Sequence, residues 1–220
     1  MVKKAAARRI PSQRRSAFTV RAILQASAEL IVDEGIAKLG TNAVAERAGV
    51  SIGTLYQYFS NKEALAVGLR QQHERDVFDA LHAAANDPAA ATPEALLVRM
   101  IRANLDVHLQ NPRLHRILTV EHPTFAPATT LGLCPMRAGM NEVFATTERR
   151  YRAMLPQVAA GIELRPMMTS LFNLVGSMTH ALVVDCPPRA SVAVLERIVA
   201  ASGLACMDQF VAHQATTRPR

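Results

Sequence analysis

Apolar side chains recur at helical spacing along most of this chain. Val20, Ile23, Leu24, Ser27, Leu30 and Ile31 fall at i, i+3, i+4, i+7, i+10 and i+11, the spacing of a buried stripe on an amphipathic helix. Gly35 follows where a left-handed residue closes a helix. Thr41 to Phe59 then forms two short helices around a tight Ala48-Gly49-Val50 turn. Ser60-Asn61-Lys62-Glu63 has the S-x-x-E form of a capping box, and it opens a fourth helix running to about His82 or Ala85. Asn86-Asp87-Pro88 breaks the chain. Thr92-Pro93-Glu94 restarts it with a cap, an N1 proline and a first-turn acid, for a fifth helix to about Gln110. Asn111-Pro112 starts a short sixth helix to about Val120, and a loop follows from His122-Pro123 to Pro127. A seventh helix, irregular near Gly132 and Pro135, extends to about Leu155. The eighth spans about Glu163 to Val184, and the ninth about Arg189 to Ala212. The expectation is an all-α protein of about nine helices, without internal repeats.

The two short helices carry the most specific pattern. Val44, Ala45 and Ala48 give the first an apolar side of small residues that a neighbouring helix can approach closely. Gly49 supplies the positive φ that a residue with a Cβ resists. Val50 plugs the corner, and Ser51 is a good N-cap for the second helix. Gly53 costs about 1 kcal/mol against alanine inside a helix, but leaves a bare first turn that a base edge or phosphate can approach. Leu55 and Phe59 form a greasy inner face beside Thr54, Tyr56, Gln57, Tyr58 and Lys62. A helix pair of this size is a reader of the DNA major groove.

Charge sharpens that picture. The net charge is +7, and Lys3, Lys4, Arg8, Arg9, Arg14, Arg15 and Arg21 all precede the first acidic residue, Glu29. Beyond Arg21 the remaining 18 Lys and Arg balance the 18 Asp and Glu, so the whole excess lies just ahead of the suspected reading head. Such an arm contacts a polyanion, with salt-sensitive binding through counterion release. An acid-free, Arg-rich arm is also how a transit peptide looks, and a solvated tail is a third reading. The helical pattern that begins at about Phe18 and flows into the motif weakens the transit reading. Cys134, Cys186 and Cys206 are odd in number and lack metal spacing, which suggests a reducing cytoplasm. Pro166 to Val184 has no formal charge, but Ser170, Asn173, Ser177, Thr179 and His180 make it a buried interface helix rather than a membrane span.

Ile23-Leu24, Ala26, Ala28, Glu34-Gly35, Thr41, Val44-Ala45, Ala48-Gly49-Val50-Ser51, Thr54-Leu55-Tyr56, Tyr58-Phe59 and Lys62-Glu63-Ala64-Leu65 together resemble the TetR/AcrR family of bacterial transcriptional regulators. The resemblance covers about residues 18 to 66. It implies a DNA-binding head of three helices, a ligand-responsive body, and a homodimer built by the last two helices. Carried onto matching positions, Thr41, Thr54, Tyr56, Tyr58 and Lys62 would hold phosphates, and Ser51, Ile52, Gly53 and Gln57 would face bases. Gly40 stands where the family often has a second threonine, and Ile52 and Gly53 offer no polar side chain. Gln57 is therefore the clearest hydrogen-bonding reader. The implied organisation is a basic arm over 1–17, the head over 18–66, and a ligand-binding and dimerisation body over 67–214.

Helices eight and nine carry more apolar positions than one stripe needs, which implies a second copy as partner. His108, Phe125, Met136, Met140, Phe144, Asn173 and His180 are candidates for the lining of an effector pocket, since apolar walls with a few polar groups suit a small, mostly hydrophobic molecule. His108, His115 and His122 recur every seven residues, but Pro112 and Pro123 interrupt that helix, and no metal or other cofactor is expected. The chain lacks a Gly-rich phosphate loop, G-x-S-x-G and H-E-x-x-H, so no enzyme is expected. The expected function is a cytoplasmic repressor released from double-stranded operator DNA by a small effector. A ligand-independent helical DNA-binding protein is one alternative, and an all-α small-molecule-binding protein or enzyme is another.

Overall fold

A computed structural model of the chain describes residues 14–118, 137–155, 163–185 and 192–216. Within them the elements are α1 (Arg14–Glu34), a 3-10 turn (Ile36–Lys38), α2 (Thr41–Arg47), α3 (Ile52–Tyr58), α4 (Lys62–Asn86), α5 (Pro93–Gln110), α6 (Pro112–Arg116), α7 (Arg137–Met154), α8 (Leu164–Asp185) and α9 (Val192–Thr216). The described residues contain helices and no strands, as the apolar spacing predicts. The chain divides into two compact units, Met1–Glu74 with Arg113–Leu133, and Arg75–Pro112 with Cys134–Arg220. The division falls inside α4, later than the sequence-based boundary at residue 66.

Local chemistry explains most of the ends. α1 begins at Arg14, four residues before the amphipathic pattern, so two of the basic residues assigned to the arm are helical. Gly35 closes it with φ 86. α4 begins one residue later than the Ser60 capping box predicts. Asn61 is its cap, accepting from the Ala64 N–H through Oδ1 at 2.8 Å. Thr92 caps α5 as expected, its hydroxyl accepting from Ala95 N–H at 3.1 Å ahead of Pro93. The far end of α4 is satisfied by Arg150 of α7, which donates to the carbonyls of Ala85 and Ala90. The Ala85 carbonyl is one that the end of a helix leaves without a partner, and Ala90 lies in the turn beyond α4.

The first unit has one core. Ile23, Leu24, Ile31, Val44, Leu55, Phe59 and Leu65 are sealed in it, and Ile117 and Leu118 join from beyond α6. Gly68 allows α4 to approach: a Cβ there would stand 2.7 Å from the Phe59 ring and 3.0 Å from Leu24. His115 lies against His73, ring centroids 5.2 Å apart.

In the second unit α5 packs on α8 and α9, α8 on α9, and α7 on α8. Leu105, Leu164, Met167, Val175 and Val199 form one cluster, and Val77, Leu81, Met140 and Val143 another. Arg102 of α5 is paired with the largely buried Glu196 of α9 at 2.7 Å. No described helix is long and apolar enough to cross a membrane.

Candidate nucleic-acid interface and effector cavity

Between α2 and α3 the chain reverses in a few residues. Gly49 sits at φ 64, and the Val50 N–H reaches back to the Ala45 carbonyl at 3.0 Å. Ser51 then leaves helical geometry, and its Oγ accepts from Thr54 N–H at 3.0 Å while lying 2.8 Å from the Thr54 hydroxyl. Arg47 locks the end of α2 to the end of α1 by pairing with Asp33 at 2.8 Å and Glu34 at 3.2 Å. That leaves Arg47 engaged inside the head.

The two faces of α3 separate cleanly. Leu55, Tyr58 and Phe59, at i, i+3 and i+4, turn inward to the core. Ser51, Ile52, Gly53 and Gln57 are exposed, with Lys62 exposed at the start of α4. Tyr56 is 41 % exposed, and its hydroxyl is 3.2 Å from that of Thr41, so the opening of α2 and the second turn of α3 present one pair of hydroxyls. Thr54 is half-buried. Tyr58 departs from the outward placement expected for it. Its side chain is only 6 % exposed, because three residues beyond Leu55 brings it back to the same face. The helical period carried that signal in the sequence.

The second unit holds a half-open cavity whose empty space, open solvent at its mouth included, is about 670 Å³. Leu81, Met100, Phe144, Met168 and Phe172 supply apolar wall, and Asn104, Thr147 and Tyr151 are its polar members. Among the described residues no charged side chain and no histidine lines it. Phe144 and Phe172 meet edge to face, 5.9 Å between centroids. Burial, and then the carboxylates of Asp208 and Glu94, push the Tyr151 phenol above the 10.0 of an ordinary tyrosine.

Of the candidates named from sequence, Phe144 lines this cavity. Met140 is buried in the neighbouring cluster with Val77 and Leu81. His108 is buried, but its Nδ1–H is directed to the Asn104 carbonyl at 2.8 Å, and it is not part of the wall. Asn173 is on the exposed face of α8, because its helical neighbours Met168, Leu171 and Val175 take the inward positions. Phe125, Met136 and the His180 side chain lie outside the described residues. Sequence reasoning missed Asn104, Thr147 and Tyr151. For Asn104 a signal existed: a lone amide in the stripe Leu97, Ile101, Leu105.

The profile for bacterial regulatory proteins of the tetR family matches residues 23–69, the span just described from α1 into α4. Over residues 23–69 the chain is similar to that family. It is 28 % identical over 135 residues to the nucleoid occlusion factor SlmA of Aliivibrio fischeri, covering 60 % of this chain and 64 % of that one. The chain thus spans just under two thirds of the length of that relative. Over 171 residues it is 28 % identical to the uncharacterized HTH-type transcriptional regulator Rv1255c of Mycobacterium tuberculosis, covering 75 % and 80 % of the two chains. A tetR-family transcriptional regulator from Streptomyces coelicolor shares the fold, with a TM-score of 0.62 at 18 % identity over 90 % of this chain and 83 % of that one. The tetR-family profile stops at residue 69, before the cavity begins, so that match does not extend to the body.

Proposed function

We propose that this chain is a DNA-binding transcriptional regulator, a repressor whose hold on a double-stranded operator is released by a small, mostly hydrophobic effector. One observation carries the reading: α3 buries Leu55, Tyr58 and Phe59 and turns Ser51, Ile52, Gly53 and Gln57 to solvent beside Tyr56, Thr41 and Lys62. A helix fixed from behind with a narrow polar front suits a major groove. Tyr56, Thr41 and Lys62 hold phosphates, Gln57 reads a base edge, and Thr54 supports the turn. Tyr58, with its ring in the core, is left out of the contacts.

The regulator acts as a homodimer in the cytoplasm and is not an enzyme. Val194, Ile198, Ala201 and Ala205 make an exposed apolar stripe on α9, and Ser170, Asn173, Ser177 and Ala181 an exposed stripe of small residues on α8. Two such helices from each copy can pack as a four-helix interface. An effector in the cavity favours one of two dimer states and shifts DNA binding by its difference in affinity for them.

Operator titration tests the reading. Tyr56→Phe and Lys62→Ala should each weaken binding to all sequences alike, and Lys62→Ala should lower the salt dependence. Gln57→Ala should relax preference at one base pair by about 1–3 kcal/mol. Wild-type binding by Tyr56→Phe and Lys62→Ala together would sink the assignment.

A further inference from the structure

Asn104 carries a polar atom that the folded chain leaves unused. The residue is 2 % exposed, and its Oδ1 is buried with no hydrogen-bond partner among the described residues. It sits on α5 between Ile101 and Leu105 and forms part of the cavity wall. An orphaned amide oxygen in apolar surroundings is destabilising, and such groups in folded proteins usually have a use. The rest of the wall narrows what that use is. Among the described residues it holds no cation to pair with a carboxylate and no anion to pair with an ammonium group. A charge placed there would lose its hydration without compensation.

We propose that the cavity takes an electrically neutral, chiefly apolar molecule that donates one hydroxyl or amide hydrogen to Asn104 Oδ1. The other polar groups agree with this. Thr147 already donates to the Val143 carbonyl at 2.8 Å and keeps only acceptor capacity. Tyr151 stays un-ionised, held so first by burial and then by the carboxylates of Asp208 and Glu94, which also oppose an anion nearby. Arg165 lies over Phe144 at 5.6 Å with Nη1 on Asn141 at 3.1 Å, and it is not part of the wall. The selectivity makes the effector reading above more specific and rests on it for its consequence, but binding itself is measured separately.

The full chain is titrated by calorimetry with 1-octanol, its isomer 1-methoxyheptane, octanoate and octylammonium. The two isomers have the same atoms, but only the alcohol can donate. Octanol should bind about fivefold tighter than the ether, the worth of one hydrogen bond, and both ions at least about tenfold weaker than octanol. In Asn104→Leu the alcohol and ether should bind alike, and the variant should melt at or above the wild-type temperature because the orphaned amide is gone. Asn104→Ala gives the same comparison if the leucine does not fit. Equal binding of the two isomers by wild type, octanoate as tight as octanol, or no binding of any probe would each overturn the proposal. Operator binding is read in parallel. Asn104-dependent binding that leaves DNA affinity unchanged would end the effector reading and keep this one.

Discussion

Ile23, Leu55, Phe59 and Leu65 are sealed into a core so close that Gly68 has no room for a methyl group. In the second unit Met100, Phe144, Met168 and Phe172 surround space that the chain does not fill. The first unit spends its apolar residues on rigidity and presents its chemistry outward, on the front of α3. The second keeps a neutral void among its helices and turns its chemistry inward. The contrast fits the two tasks: a reading helix must be held still, whereas an effector must find a vacancy whose filling changes the balance between two states.

The contrast can be broken most directly by truncation. Phe59→Ala should cost about 3–5 kcal/mol in urea unfolding, while Met168→Ala, whose side chain already faces empty space on one side, should fall near the low end of about 2 kcal/mol. Equal costs would mean that the cavity closes up in solution. Overpacking sharpens the same point: Gly68→Val should lose about 1–3 kcal/mol, since its side chain meets Phe59 and Leu24. Retained stability there would show that the head's core yields as readily as the body.

The smallest effect is a pH dependence confined to the body. Tyr151 has a folded pKa above the unfolded 10.0. As the pH rises past that value the unfolded chain releases the proton while the folded chain keeps it, so stability falls. Below it both states are protonated and nothing changes. Tyr151→Phe should flatten this part of the alkaline decline in urea midpoints, and an unchanged slope would show that the phenol is not desolvated.

Much of the head was legible because its determinants are local. Gly35 and Gly49 both take the positive φ that their turns require, and Ser51 caps the helix that follows it. The misreadings there are small and physical. Asn61 outcompeted Ser60 as a cap, and Tyr58 was grouped by its polar hydroxyl although its spacing from Leu55 matched the inner face. In the body the helices were legible and the cavity was not. Asn173 and His108 are polar residues on apolar helices just as Asn104 is, yet only Asn104 is in the wall. Helical spacing turns Asn173 outward, but nothing local separates His108 from Asn104.

The amino-acid order alone determined the all-α class, the turns and caps, and the family resemblance, because spacing, glycine conformation and capping act over a few residues. The tertiary structure decided which apolar residues fill the core and which surround a void, since that depends on how α5, α7 and α8 approach one another. It also decided that the Asn104 amide oxygen has no partner among the described residues, because a hydrogen bond between distant segments is gained or lost only when they meet.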